Sequence, residues 1–183
     1  GEKLRQENES LAHLALHDSL TGLSNRVRFE AMLSQAVSEG RETGSQVALL
    51  FMDCNDFKGI NDQLGHACGD AVLAEIGARI TKLLGDGHLA ARLGGDEFAI
   101  LLAPIESPAD AQTLADRLLE AMAEPIRLPD GSDITASVSI GMAFFPDPCG
   151  DEEALLDAAD KSMYEAKRSR RRAGGPGADV NPV

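Results

Sequence analysis

Three acidic residues stand out because each follows a break in an apolar run. Asp53 closes the run 46–52, and Asp96 and Glu97 follow the adjacent pair Gly94-Gly95. If the two apolar segments are neighbouring strands, carboxylates from distant stretches of chain meet at one edge. Hard oxygen ligands gathered this way suit Mg²⁺, which keeps several waters and takes one or two protein carboxylates plus substrate phosphates. Two such ions about 4 Å apart can activate an attacking hydroxyl and stabilise a leaving oxygen. Spacing alone also allows a plainer reading, with Asp53 capping the next turn and Asp96 a hairpin residue.

Other metal chemistries fit worse. An EF-hand beginning at Asp53 fails, because Phe57 stands where a ligand is needed, Lys58 where glycine must turn and Leu64 where glutamate must close the loop. His66 and Cys68 lack the second close pair that a zinc site requires. Phosphate contacts must come from outside a Walker-type loop, which is absent from the sequence. Lys58 is one candidate. Lys167 and Arg171, four residues apart on one helical face, are others, although a helix dipole favours basic residues at a C-terminus anyway.

The elements that must position these groups follow from pattern. Residues 2–16 read as a polar helix with Leu4, Leu11 and Leu14 at a/d spacing. Two heptads leave two readings open: a solvated helix docked on its own domain, or the end of a linker from an upstream sensor that pairs two chains. A turn-rich segment, 18–25, ends at Asn25, which caps a helix to about residue 39. A buried strand over 46–52 precedes a short helix over 58–64 and a longer one over 69–84. Strands over 88–93 and 97–102 meet at the two glycines as a hairpin. A helix over 108–123, an alternating strand over 134–144 and a last helix from about residue 151 complete the order. Strands interleaved with helices, plus one tight hairpin, predict an α/β (α+β) domain with a mixed, mostly antiparallel central sheet surrounded by helices. The domain spans 17–172, after a linker or signalling helix over 1–16 and before a Gly- and Pro-rich tail over 173–183 that reads as disordered.

Composition narrows the function. The 183 residues, 43% hydrophobic and 26% charged, are enough for one well-cored domain. The net charge is −13, and five of the seventeen basic residues crowd into 167–172. Up to residue 166 there are twelve basic against twenty-nine acidic side chains, a balance of −17. Such a body repels nucleic acid and anionic lipid. With no Trp and only Tyr164, a base-stacking platform is also excluded. The longest apolar runs reach roughly a third of a bilayer span. Three cysteines without paired spacing fit reduced thiols in a cytoplasmic setting. Gly1 in place of Met reads as the start of an expressed fragment.

Taken together, these residues resemble the GGDEF family of diguanylate cyclases. The name motif stands intact as Gly94-Gly95-Asp96-Glu97-Phe98, preceded by Arg92-Leu93. The first motif of the family stands as Asp18-Ser19-Leu20-Thr21-Gly22-Leu23-Ser24-Asn25-Arg26. The metal and guanine segment stands as Asp53-Cys54-Asn55-Asp56-Phe57-Lys58-Gly59-Ile60-Asn61-Asp62, followed by Gly65-His66 and Gly69-Asp70. Ser137-Val138-Ser139-Ile140-Gly141, and Ala159-Asp160 through Tyr164 to Ala166-Lys167, complete five motifs in order over about 15–171.

The resemblance implies a palm-like fold related to nucleotide cyclases and polymerases. It implies a Mg²⁺-dependent (or Mn²⁺-dependent) reaction that joins two GTP into cyclic di-GMP and releases two pyrophosphates. Each chain holds one GTP, so the working unit is a homodimer, and the 3′-hydroxyl of one nucleotide attacks the α-phosphate of the other. By position, Asp53, Asp96, Glu97 and the Cys54 carbonyl become metal ligands. Glu97 and Asp96 are the candidates for activating the hydroxyl, and Lys58, Lys167 and Arg171 balance phosphate charge. Amides near Asp56 and Phe57 cradle the phosphates, and Gly94 and Gly95 leave room for the α-phosphate. Asn61 and Asp70 read guanine: a carboxylate accepts from N1–H and the 2-amino group together, whereas adenine leaves it unpaired, a discrimination of up to about 10⁴-fold.

Three departures from the family pattern carry expectations. Asn55 replaces a frequent second Asp, removing one acidic charge near the metals. Arg170-Arg171-Arg172 replaces a frequent Gly-Arg-Asn, which weakens the carry-over to Arg171. Gly85 and His88 replace the Arg and Asp of the product-binding Arg-x-x-Asp, so feedback inhibition through that stretch is expected to be weak. The competing reading is a catalytically silent GGDEF domain that binds GTP and regulates a neighbour. Such members usually lose motif carboxylates, and here Asp53, Asp96 and Glu97 are all present.

Overall fold

The computed structural model describes residues 1–172. The tail over 173–183 lies outside the described residues. In chain order the elements are α1 (Glu2–Leu16), α2 (Arg26–Thr43), β1 (Gln46–Cys54), α3 (Phe57–Leu64), α4 (His66–Leu83), β2 (Leu89–Gly94), β3 (Glu97–Ile105), α5 (Pro108–Met122), β4 (Ile126–Arg127), β5 (Asp133–Ile134), β6 (Val138–Phe145) and α6 (Glu152–Arg172).

Four strands form the main sheet in the order β2-β3-β1-β6, and every pairing within it is antiparallel. A single parallel bridge, Ser24 to Ala91, ties the segment before α2 to its edge. Successive strand residues point to opposite faces, and β1 is apolar on both. Ala48, Leu50, Met52 and Cys54 face one core with Phe98, Ile100 and the buried sides of α4 and α5. Val47, Leu49 and Phe51 face the other with Ala99, Leu101, Ala143, Phe29 and Leu33 of α2 and Leu155 and Ala159 of α6. Two helices therefore cover each face, and β1 is held from both sides.

Local chemistry sets the ends of the elements. Asn25 caps α2, its side chain accepting from the Arg28 amide at 3.1 Å. That helix runs past residue 39 to Thr43 and stops at Gly44, whose φ of 76° is left-handed. Ser107 and Asp110 form a capping box on α5, with Pro108 in the first turn.

Two boundaries differ from the sequence reading in kind. The alternating run over 134–144 is two strands: β5 pairs with the two-residue β4, whose brevity hid it, and β6 begins only at Val138. Strand β1 continues to Cys54, so Asp53 is a strand residue and not the residue after one. Helix α1 buries none of its residues, and Leu4, Leu11 and Leu14 are about 60% exposed or more. It does not dock those leucines on its own domain. Among the described residues no helix is long and apolar enough to cross a membrane.

Candidate functional site

The register of the sheet brings the acids together. Asp53 lies directly opposite Glu97 on β3 and opposite Ser139 on β6. Asp53 continues the face of Leu49 and Phe51, and Glu97 that of Ala99 and Leu101, so both carboxylates leave the sheet on the α2/α6 side. Like charges directly opposed across strands repel. Asp96 adds a third acid in the tight link between β2 and β3. There Gly94 and Gly95 adopt φ values of 145° and 51°, which favour glycine, with open space where side chains would stand.

Asp53 is 6% exposed. Its Oδ2 is ion-paired with Lys167 Nζ of α6, and its Oδ1 is buried without a hydrogen-bond partner among the described residues. Burial pushes its pKa upward. The Lys167 hydrogen bond and charge pull it back, while Asp96 and Asp160 push with burial. Asp96 is also raised, first by burial, against backbone hydrogen bonds at Asp96 itself and at Cys54 and the charge of Lys167. Burial, with Asp96 and Asp53 nearby, pushes the Cys54 thiol up to about 12, which makes it inert as a nucleophile. Cys54, Cys68 and Cys149 are all buried free thiols.

A cleft of about 370 Å³ opens beside these acids. Cys54, Asp56, Phe57 and Lys58 line one side, at the turn from β1 into α3, and Asn61 follows one turn on. Asp96, Lys167 and Arg171 line the other. No side chain caps the start of α3, so its first amides and the positive end of its dipole are available to an anion. Asp56 adopts the left-handed region at φ 52°, and its carboxylate folds back over Gly59, where a Cβ would stand 2.3 Å from it.

Asn61 Oδ1 is buried and unpaired among the described residues, and it lies against Gly69, where a Cβ would approach it to 1.9 Å. Asp70 follows on α4, exposed and outside the cleft lining. Glu97, Gly94 and Gly95 are likewise exposed and outside the cleft lining, next to Asp96 in the chain. Lys167, expected to meet phosphate, is ion-paired with Asp53 and also lines the cleft.

A larger cavity, about 410 Å³, lies between His17, Arg28 and the turn Gly85-Asp86-Gly87-His88. Asp86 is its single acid, so it offers no carboxylate pair. Chemistry and not volume selects the smaller cleft.

Helix α6 carries Lys167 and Arg171 to the cleft because it is pressed onto β6. At Gly141 a Cβ would stand 2.0 Å from the Met163 amide nitrogen and 2.5 Å from the Ala159 carbonyl oxygen. The Met142 amide donates to Ser162 Oγ at 3.0 Å.

The hairpin is tied from behind by residues whose roles the sequence did not reveal. Arg92 Nε donates to the Gly95 carbonyl at 2.9 Å, and its Nη1 donates to Asp18 Oδ1 at 2.9 Å. The Thr21 amide and hydroxyl donate to the other Asp18 oxygen. Burial works against the Asp18 charge, but the Thr21 hydrogen bonds and the Arg92 charge outweigh it and lower the pKa. The Asp18-x-x-Thr21 spacing signals a turn. Its partner, 74 residues away, has no local signal.

Among the described residues no group of three or more His, Cys, Asp or Glu side chains is placed so that together they could hold a metal ion. The donor set nevertheless fits Mg²⁺: two desolvated carboxylates, one with a buried unpaired oxygen, beside a cleft wide enough for phosphates.

Comparison with known proteins identifies the family and the fold. The family model described as "Diguanylate cyclase, GGDEF domain" matches residues 15–173. Diguanylate cyclase TpbB of Pseudomonas aeruginosa is 52% identical over 169 residues, covering 92% of this chain and 39% of the relative. Diguanylate cyclase DgcN of Escherichia coli is 41% identical over 92% of this chain and 41% of its own length. The chain thus spans about two fifths of these curated relatives. The solved GGDEF domain of TpbB superposes with a TM-score of 0.81 at 52% identity, over 84% of this chain and 89% of that one. The coiled coil and GGDEF domain of DgcB from Caulobacter crescentus, solved in complex with c-di-GMP, superposes with a TM-score of 0.85 at 30% identity, over 92% of this chain and 88% of that one.

Proposed function

Because the chain belongs to the GGDEF family of diguanylate cyclases, we propose that it condenses two GTP into cyclic di-GMP, releasing two pyrophosphates, at the interface of two copies. The observation that carries this reading is the opposition of Asp53 and Glu97 across β1 and β3, with Asp96 beside them and a cation-lined cleft alongside. Three acids crowded at one sheet edge, balanced only in part by Lys167, are a cost to the fold that a divalent cation would offset.

Asp53, Asp96, Glu97 and the Cys54 carbonyl are the groups that would hold Mg²⁺ or Mn²⁺. When bound, the ions neutralise phosphate charge and lower the pKa of the attacking hydroxyl. The chain supplies the rest. The open amides at the start of α3, near Asp56 and Phe57, bind the terminal phosphates, and Lys58 and Arg171 balance their charge. Lys167 releases Asp53 and turns to the phosphates. Gly94 and Gly95 allow the α-phosphate to lie against the backbone. Glu97, exposed next to Asp96, takes up the proton of a 3′-hydroxyl delivered by the partner copy. Asn61 and Asp70 hold the guanine edge.

A single cleft holds one nucleotide, so turnover requires two domains facing each other. Residues 1–16 act as the linker that brings them together and 17–172 as the catalytic domain. The exposed leucines of α1 and the coiled coil of the DgcB neighbour favour that division. The domain is the output of a longer sensory protein and works in the cytoplasm, where GTP is found. Incubation with GTP and Mg²⁺ is expected to release pyrophosphate at a rate that rises more than linearly with protein concentration. No turnover in an enforced dimer refutes the reading.

A further inference from the structure

Between the metal-binding acid of β1 and the phosphate-binding turn stands one residue for which the proposed chemistry has no role. Asn55 is 7% exposed, and both polar atoms of its side chain are hydrogen-bonded. Its Nδ2 donates to Ser137 Oγ at 2.9 Å, and its Oδ1 accepts from Ser139 Oγ at 2.8 Å. Its own amide donates to the Ser137 carbonyl at 2.8 Å. The regular β1–β6 ladder ends at Cys54 and Val138, so these three bonds extend the attachment one residue beyond the strand. The residues on either side, Cys54 and Asp56, both line the cleft, and Asp56 holds a left-handed backbone. A chain about to make such a turn needs its last strand residue fixed, or the carbonyl before it and the amides after it lose their aim.

Asn55, one residue past the end of β1, also lies on the side of Asp53, since both stand against Ser139. A carboxylate at position 55 could keep both serine bonds, accepting from Ser139 and from a rotated Ser137 hydroxyl, but it would add a charge beside three acids. A neutral amide offers a donor atom to one hydroxyl and an acceptor atom to the other and adds no charge. Resting on the function proposed above, we propose that Asn55 is a positioning residue. By locking the end of β1 to Ser137 and Ser139, it aims the Cys54 carbonyl at the divalent cation and the Asp56–Phe57 amides at the phosphates.

The test uses the intact chain as wild type, Asn55→Leu, Asn55→Asp and the double variant Ser137→Ala/Ser139→Ala. Binding of Mn²⁺ in the presence of a non-hydrolysable GTP analogue is followed by electron paramagnetic resonance, with GTP turnover alongside. Asn55→Leu keeps the branching of the side chain, though with larger methyl groups, and removes both side-chain bonds. It is expected to weaken Mn²⁺ binding about 10-fold or more, the range for groups that orient metal ligands, and to lower kcat more than it raises KM. Asn55→Asp is expected to retain Mn²⁺ affinity within about threefold of wild type, by the same comparison. Should Asn55→Leu fail to fold by circular dichroism, the double serine variant is expected to weaken Mn²⁺ binding in the same direction. Wild-type Mn²⁺ affinity in a folded Asn55→Leu or in the double variant overturns the proposal. So does Asn55→Asp behaving as badly as Asn55→Leu, because then the hydrogen bonds are not what matters. If wild type binds Mn²⁺ but turns over no GTP, the activity reading falls while the order of Mn²⁺ affinities still judges Asn55.

Discussion

Replacing Gly141 by alanine tests whether the seating of α6 controls the site. The added methyl would stand 2.0 Å from the Met163 amide nitrogen, 2.5 Å from the Ala159 carbonyl oxygen and 2.6 Å from Met163 Cα, against 3.4 Å for the start of ordinary contact. All three are backbone atoms, so no rotamer change relieves the clash. Restoring contact requires the helix to retreat by the difference between 3.4 and 2.0 Å, about 1.4 Å. Overpacking of this kind costs about 1–3 kcal/mol. For a chain of this length that lowers the melting temperature by about 2–12 °C. Lys167 and Arg171 lie four and eight residues beyond Met163 on the same rigid helix and retreat with it. A displacement near 1 Å in a site that works by positioning costs on the order of 10²-fold in turnover. The assay is a circular dichroism melt paired with pyrophosphate release. Gly150→Ala serves as control, since nothing stands within 4 Å of its added methyl, and its melt is expected to move by less than about 0.5 kcal/mol equivalent. Wild-type melting and turnover in Gly141→Ala refute the steric argument. A lowered melt with full turnover refutes the link between the helix seat and the cleft.

Four further outcomes follow from the geometry. Asp18→Asn removes charge from hydrogen bonds worth about 1.5–3 kcal/mol. Because the folded pKa of Asp18 lies below its ordinary 3.8, the stability it contributes is complete above that value and fades as pH falls through the folded pKa; the gap between wild-type and variant melting temperatures is therefore expected to close in a series run from neutral pH to below 3.8. Asp96→Asn relieves crowding among buried acids and is expected to raise the metal-free melting temperature, by up to about 1 kcal/mol equivalent, while abolishing turnover and the stabilisation that Mg²⁺ gives wild type in the same scan. Gly69→Ala drives a methyl into Asn61 Oδ1 and is expected to raise the KM for GTP about 10-fold or more, a missing hydrogen bond to a base being worth at least that; unchanged steady-state kinetics would count against Asn61 as a guanine reader. Added cyclic di-GMP is expected to leave initial rates nearly unchanged, since Gly85 and His88 offer no Arg–Asp pair; strong inhibition at low micromolar product would contradict this.

The pattern of residues revealed the centre of this site more fully than its supports. Asp53, Asp96 and Glu97 each follow a break in an apolar run, so their convergence needed only the assumption that the two strands are neighbours, and the register satisfies it. The hairpin was legible because adjacent glycines mark a turn that few other residues allow. Supports that depend on distant partners were not legible. Asn55 reads as a lost acidic charge until Ser137 and Ser139, more than eighty residues away, are seen to occupy its amide. Lys167 reads as a phosphate ligand because local charge says nothing of Asp53, more than a hundred residues away in sequence, which the fold brings against it. The split of 134–144 into β5 and β6 escaped for a related reason: alternation continues across Thr135–Ser137, and a two-residue partner such as β4 leaves no periodic trace.

Helix α1 touches the rest of the molecule mainly at its end. Asn25 Nδ2 donates to the Ala15 carbonyl and the Asn25 amide donates to that of Leu16, bolting the helix foot to the start of α2. Counted with that bolt, the fifteen residues of the helix form a rod about 22 Å long with no buried side chain. Two residues past the foot, Asp18 holds the guanidinium that grips Gly95. Leverage follows directly. A sideways push at the Glu2 end turns about the bolt, and the bolt stands one ion pair away from the carbonyl that shapes the Gly94-Gly95 hairpin.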